Sequence, residues 1–220
     1  DRIELYRLMN ATLEQIAQAL FRQWFVEFEF PDEKGRAYKS NGGKMVWCEE
    51  LKKDVPAGWS VGRLGDILEN FDSKRVPLSS RERESKEKLY PYYGAPGIVD
   101  YVDNFLFDGV YVLMGEDGSV VNEDGTPILQ YVWGKIWVNN HAHVLKGKNG
   151  ANQEFIYLFL KQLDARPLVT GAVQPKINQA NMNRVQITIP PSKLMSLFNK
   201  VVSSKYAAFR ENTDEISKLV

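Results

Sequence analysis

The sequence predicts an α+β fold, with one globular mixed α/β domain between two long helices. Three observations predict it. Apolar residues recur every three or four positions near both ends of the chain, the helical period. The middle consists of short apolar runs bounded by Gly and Pro, the pattern of strands. Within it, EFIYLFLKQL (Glu154–Leu163) is apolar on most sides and too long for a strand, so it reads as a buried helix. The irregular order of strands and helix argues against a regular βαβ repeat.

The N-terminal helix is expected over residues 2–28. Leu5, Met9, Leu13, Ile16, Leu20 and Trp24 form its apolar stripe, widened by Phe21, Phe25 and Phe28. Pro31 ends it. Residues 31–58, rich in Gly, Lys and Asp, read as an irregular connector, with Trp47 and Trp59 as anchors on the next domain. Strands are expected at 110–114, 128–132, 135–138, 142–145 and 185–189. Trp133-Gly134 reads as a hairpin turn joining the second to the third. Pro190-Pro191 presets a final helix, whose seam is Met195, Phe198, Val202, Tyr206, Phe209, Thr213, Ile216 and Val220. If both helices leave the same side of the domain, they can pair as an antiparallel coiled coil.

At 220 residues, 44% of them hydrophobic and 25% charged, the chain can bury a sizeable core. No run of about 18 apolar residues occurs, so no membrane span is expected. A secretory signal is not expected either, because Asp1 starts straight into a polar helical pattern. The start on Asp1 rather than Met points to a fragment or a processed form. A single cysteine, Cys48, excludes an internal disulfide and a cysteine metal cluster, and fits a cytoplasmic protein. The zero net charge hides an uneven distribution. Residues 89–130 carry seven acids and no Lys or Arg, whereas residues 161–220 carry nine bases against four acids. Nucleic acid is therefore not excluded as a partner.

Both histidines lie in NNHAHVL (Asn139–Leu145). On a strand, His141 and His143 would face one side about 7 Å apart and could share a metal. Zinc needs further protein ligands, and only carboxylates remain to supply them. The plainer reading is a strand with its histidines in a hydrogen-bonded seam or near a ligand. GEDGSVVNEDGT (Gly115–Thr126) resembles a calcium loop but has Asn122 where glycine is required, so it reads as an acidic excursion. The triplet Glu84–Lys86 has the E-x-K spacing of some nucleases but sits in a charged run without strand character. Common nucleotide-binding and hydrolase motifs are absent.

Two stretches could contact nucleic acid. DSKRVPLSSRERESKEK (Asp72–Lys88) interleaves Lys74, Arg75, Arg81 and Arg83 with Ser and Glu. TGAVQPKINQANM (Thr170–Met182) crowds Gln174, Lys176, Asn178 and Asn181 into a loop pinned by Gly171 and Pro175. Arg and Lys suit phosphate and guanine, and Gln and Asn suit adenine edges. The same residues also make solvated loops and turn caps. Composition alone leaves both readings open. Residues 89–130, being acidic, would face away from phosphates.

A family likeness runs through the chain. LMNATLEQIAQALFRQWFVEFEFP (Leu8–Pro31) is followed by Val55-Pro-Ala-Gly-Trp59, Leu64-Gly-Asp66, Tyr90-Pro91, Gly97-Ile-Val, Phe107-Asp-Gly109, Gly115-x-x-Gly118, Asn140-His-Ala-His143, Gln174-Pro-Lys-Ile177 and Ile189-Pro-Pro191. In that order the chain resembles the specificity subunit of type I restriction–modification systems. The resemblance covers nearly the whole chain. It implies spacer helices at 1–30 and 191–220, a connector at 31–58 and a target recognition domain at 59–190.

It also implies no catalysis by this chain, no cofactor and no metal. The partners would be double-stranded DNA, the DNA methyltransferase (modification) subunit and, through the complex, the restriction/translocase subunit. A full subunit carries two recognition domains. This chain resembles half of one and would read half of a bipartite site, with pairing as a homodimer left open. Lys74, Arg75, Arg81, Arg83, Gln174, Lys176, Asn178 and Asn181 are the expected DNA contacts. Leu13, Ile16, Leu20, Phe209 and Ile216 are the expected partner contacts. Two other readings stay open: a metal-dependent nuclease using both histidines and a carboxylate, and a coiled-coil scaffold that does not touch DNA.

Overall fold

The computed structural model describes residues 1–171 and 173–219. In chain order the elements are α1 (Arg2–Phe21), β1 (Met45–Cys48), β2 (Lys53–Pro56), β3 (Ser60–Arg63), α2 (Leu64–Ile67), β4 (Leu68–Asn70), α3 (Ser80–Glu84), β5 (Tyr90–Gly94), β6 (Gly97–Val102) and β7 (Phe107–Asp108). They continue with β8 (Tyr111–Gly115), β9 (Leu129–Val132), β10 (Lys135–Val138), β11 (Ala142–Gly147), α4 (Gln153–Leu160), β12 (Val169–Thr170), β13 (Lys176–Ile177), α5 (Gln179–Asn183), β14 (Gln186–Ile189) and α6 (Ser192–Leu219). Two compact units result, one of residues 1–63 with 186–219 and one of Leu64–Val185. Among the described residues no helix is long and apolar enough to cross a membrane.

The first unit is built on a helix pair. Asp1 caps α1 by accepting the Ile3 N–H at 3.0 Å, satisfying one of the donors a helix start leaves over. α1 and α6 run antiparallel. Asn10 Nδ2 donates to Thr213 Oγ1 at 2.9 Å, Asn212 Nδ2 donates to Asn10 Oδ1 at 2.9 Å, and Phe21 meets Phe198 at the other end of the seam. The side of α1 that packs matches the expected stripe only in part. Asn10, Ala17 and Phe21 are its buried residues, while Leu5, Leu8, Met9 and Ile16 are exposed. The apolar period alone could not reveal a seam that includes a paired polar residue. Val220, the last expected seam residue, lies outside the described residues.

Beyond Phe21 the helix widens into a π turn, Arg22–Val26. The lower rotation per residue lets the adjacent Trp24 and Phe25 both reach Phe198, with ring centroids at 5.5 and 4.7 Å. The helix stops before the expected residue 28, because Phe28 takes a left-handed conformation (φ 61°). Trp59 packs on Phe25, Phe28 and Phe30, whereas Trp47 is exposed and its Nε1 donates to Glu49 at 2.8 Å. The connector is not wholly irregular, since β1 and β2 form an antiparallel ribbon in it. β3 and β14 form a second ribbon in the same unit.

The second unit holds two four-stranded sheets, in the orders β6-β5-β10-β7 and β4-β11-β8-β9. Phe107, Tyr111, Leu113, Val132, Ile136, Val138, Ala142 and Val144 make one buried cluster from strands of both sheets. Trp133-Gly134 is not a hairpin turn. β9 pairs with β8, and β10 pairs with β5 and β7, so Gly134 (φ 78°) carries the chain from one sheet to the other. α4, capped by Asn152, packs against β8 and β11.

Candidate nucleic-acid interface

β11 is the inner strand on which the site is built. It pairs with β8 on one side and β4 on the other, which places His143 opposite Met114. The His143 side chain is 1% exposed. Its Nδ1 lies 2.5 Å from Asp72 Oδ2 and its Nε2 lies 2.8 Å from the Ile177 carbonyl oxygen. Both neighbours are oxygen acceptors, so each ring nitrogen of His143 is held by a polar partner.

Asp72 also accepts the Val144 N–H at 2.8 Å, Asn70 Nδ2 at 2.9 Å and Gln179 Nε2 at 2.7 Å. Burial pushes this carboxyl up. The His143 hydrogen bond and charge, with the Val144 and Asn70 donors, outweigh that and hold it below its ordinary value.

Beside this pair, Glu116 at the end of β8 meets Arg75 Nη1 at 2.7 Å and Lys176 Nζ at 3.0 Å. Arg75 also donates to the Ala142 carbonyl at 2.7 Å and to the Asp72 carbonyl at 3.1 Å. Its side chain is 11% exposed. Asp72, Glu116 and His143 each bring one possible ligand atom within 4.8 Å of the others. Arg75 and Lys176 already sit on that negative charge, so the cluster is balanced by the chain's own cations. The two histidines do not form a shared site. His141 precedes β11 rather than lying on it, so same-face spacing does not apply, and its Nδ1 turns to Asp117 Oδ1 at 2.5 Å.

The cluster ties together the two stretches that composition singled out. Asp72 and Arg75 open the basic stretch. Ile177 and Gln179 belong to the amide-rich one. The latter starts as the ribbon β12–β13, turned at Gly171. There φ is 85°, and a Cβ would stand 2.4 Å from the Gln174 carbonyl oxygen, so glycine is required. Main-chain bonds then fasten it: Gly118 N–H to the Pro175 carbonyl at 3.0 Å, and Ile177 N–H to the Glu116 carbonyl at 2.9 Å. The Ile177 side chain is fully buried. Ala172, within this loop, lies outside the described residues.

The basic stretch is also more ordered than a solvated loop. It contains α3, started by a full capping box between Ser79 and Glu82. Its cations find acids in 89–130: Arg83 with Asp100 at 3.0 Å, Lys86 with Asp103 at 2.8 Å and Lys88 with Asp100 at 2.9 Å. The Lys88 hydrogen bond, then the Tyr101 N–H and Arg83, lower the Asp100 carboxyl to about 2. The acidic stretch supplies the counter-ions that fasten the basic one.

A model of the family described as "Type I restriction modification DNA specificity domain" matches residues 56–195. The chain belongs to that family.

The specificity domain has relatives at several distances. It is 57% identical, over 279 aligned positions, to the HindI type I restriction enzyme specificity subunit of Haemophilus influenzae, with all of this chain and 61% of that protein covered. It is 26% identical over 239 positions to the MjaIX specificity subunit of Methanocaldococcus jannaschii, covering all of this chain and 52% of that one. The chain thus spans about half the length of the curated relatives it matches. In fold it is similar to the crystal structure of a type I restriction–modification S subunit from M. genitalium, with a TM-score of 0.63, 17% identity, and 99% of this chain and 54% of that chain covered.

Within the specificity domain the expected contact residues divide into two groups. Lys74, Arg81, Gln174 and Lys176 are exposed, and of these Lys176 also pairs with Glu116. Arg75 and Arg83 are committed to internal ion pairs, Asn178 caps α5 by accepting the Asn181 N–H, and Asn181 Nδ2 donates to the Leu168 carbonyl. Residues that sequence reasoning missed are Asp72, Glu116 and Gln179 as loop fasteners. Asp72 and His143 stand 71 positions apart, and no local pattern links them.

Proposed function

We propose that this chain is the DNA-reading module of a type I restriction–modification specificity subunit. It reads one half of a bipartite site and docks the methyltransferase subunit, and through that complex the restriction/translocase subunit. The observation that carries the reading is membership of the specificity-domain family together with two loops, fastened to one buried ion cluster, that present exposed polar side chains. Lys74, Arg81 and Lys176 contact phosphate or guanine, and Gln174 contacts a base edge. Arg75, Arg83, Asn178 and Asn181 act beneath them by holding loop shape. The chain itself performs no cleavage or methyl transfer.

The methyltransferase docks on the helix pair. Leu5, Leu8, Met9 and Ile16 recur at helical spacing on a face of α1 turned away from α6. Of the residues expected there, Ile16 is exposed, while Leu13, Leu20, Phe209 and Ile216 are partly covered.

Binding titrations with the partner methyltransferase, on cognate and single-mismatch duplexes at several salt concentrations, test the DNA reading. Loss of Lys176 or Arg81 should lower the salt slope by about one, and loss of Gln174 should relax specificity at one base pair. Lys176→Ala, Arg81→Ala and Gln174→Ala all binding like the parent at every salt would remove these loops from the interface. A gel shift without any cognate complex would favour the scaffold reading.

A further inference from the structure

The second unit contains an open pocket of about 400 Å³ that none of the expected contacts explains, although Gln174 stands in its wall. It lies between the turn after β5, the Asp117–Ser119 segment and the Asn139–His141 segment. Its polar groups are individually constrained. Asn139 is 8% exposed, and its Oδ1 accepts the His141 backbone N–H at 2.8 Å. That bond fixes which end of the amide is oxygen. The Nδ2 group has no hydrogen-bond partner among the described residues and lies open to the pocket, so its donor capacity is available to a ligand.

His141 is fixed in a parallel way. Its Nδ1 is committed to Asp117, which leaves Nε2 without a partner among the described residues on a ring that is half exposed. Pro96 and Val99 supply apolar wall. No Lys or Arg lines the pocket, and Asp117 lies in it, so a phosphate would meet no cation and one carboxylate.

An amide donor open to the pocket, a neighbouring imidazole nitrogen with an available lone pair, and apolar walls together suit one ligand class. We propose that the pocket receives the major-groove edge of a purine, with Asn139 Nδ2 donating to N7 and His141 Nε2 meeting the substituent at position 6. N7 is an acceptor in both adenine and guanine. The substituent at position 6 is a donor in adenine and an acceptor in guanine, and with Nδ1–H given to the Asp117 carboxylate the neutral tautomer offers Nε2 as an acceptor, which complements the adenine amine. Asn139 and His141 are then specificity-determining residues rather than scaffold.

Gly94 provides a variant that removes no polar group. A Cβ there would stand 3.3 Å from Asn139 Nδ2 and 3.2 Å from Val99 Cγ1, crowding the donor inside the pocket.

This inference rests on the DNA-reading function proposed above, and its test separates the two. Once methylation sequencing has supplied the motif, the chain with its methyltransferase is titrated against duplexes carrying 7-deazapurine at each purine of the half-site. That substitution deletes N7 alone. One position should weaken parental binding roughly 5- to 150-fold. The same penalty should vanish in Asn139→Ala and in Gly94→Ala, each checked for a parental melting profile. If Asn139→Ala does not fold, Gly94→Ala alone decides. Parental sensitivity to 7-deazapurine that persists in the folded variants, or no sensitive position in a half-site that the parent still distinguishes from mismatches, overturns the pocket assignment while leaving DNA reading intact. Failure of the parent to distinguish cognate from mismatched duplex overturns both.

Discussion

Asp72→Asn changes one buried oxygen to an NH₂ group and removes one negative charge, with almost no change in volume. The consequence can be worked from the contacts. The remaining oxygen can still accept the Val144 N–H. The new NH₂ then faces Asn70 Nδ2, Gln179 Nε2 and His143 Nδ1, three groups that the carboxylate had received as donors. Each buried donor left without an acceptor costs about 1–3 kcal/mol. Breaking a buried ion pair from one side costs about 3–5 kcal/mol, and the second figure overlaps the first rather than adding to it. Arg75 keeps Glu116, which limits the loss. A net destabilisation of about 3–5 kcal/mol follows, or a fall in melting temperature of roughly 10–20 °C for a unit of this size.

The pH dependence gives a second reading of the same variant. The Asp72 carboxyl is held below its ordinary value in the folded chain. The stability it contributes is therefore complete above the unfolded carboxylate value, about 3.9, and is lost as pH falls through the lower folded value. The parent should lose that share on acidification, and Asp72→Asn should lack it already at neutral pH. Thermal and urea melts from pH 7 down to the acid limit measure both quantities, and amide exchange at Ile177 reports whether the reading loop detaches. A variant that melts within about 1 kcal/mol of the parent, with Ile177 still protected, would refute the view that this cluster holds the two loops together.

Phe198→Ala should destabilise the helix-pair unit by about 3–5 kcal/mol in urea melts, because the ring is fully buried among Phe21, Trp24 and Phe25. Ile16→Asp should leave that unit's melt within about 0.5 kcal/mol of the parent yet weaken methyltransferase association on a sizing column. Gly171→Ala should lower cognate DNA affinity with little change in melting temperature, since its Cβ collides with the Gln174 carbonyl in an exposed turn. Parental affinity in that variant would show that the ribbon's turn does not shape the reading surface.

The helices were legible because period and termination are local properties, and Pro190-Pro191 and the apolar repeats state them directly. The face of α1 that packs was legible only in part, because a buried Asn10 counts as polar until its partner Asn212 is known. The same limit hid the sheet change at Gly134. A strand, a glycine and another strand look alike whether the two strands pair with each other or with different sheets. In the site, residue types singled out two loops that the fold brings to one ion cluster but could not say which cations were committed within it. Arg75 and Lys74 are neighbours of similar chemistry in sequence. Only the fold places one against Glu116 and leaves the other exposed. The fastening role of Asp72 was beyond reach for the same reason, since its hydrogen-bond partners His143 and Gln179 come from distant segments.

The attachment of the amide-rich loop has a consequence for how such a module can change. His143 grips the carbonyl oxygen of residue 177, Gly118 grips that of residue 175, and the N–H of residue 177 grips Glu116. A carbonyl is present whatever the side chain. Apart from the buried Ile177, the glycine at the turn, Gln179 on Asp72 and Lys176 on Glu116, the loop's position is written in its main chain, and the exposed Gln174 side chain takes no hydrogen bond among the described residues in holding it there. Substitutions at Gln174 can therefore alter what is presented to a ligand without releasing the frame that presents it. Such an arrangement separates vocabulary from grammar, so a new specificity can arise by single replacements in an otherwise unaltered fold.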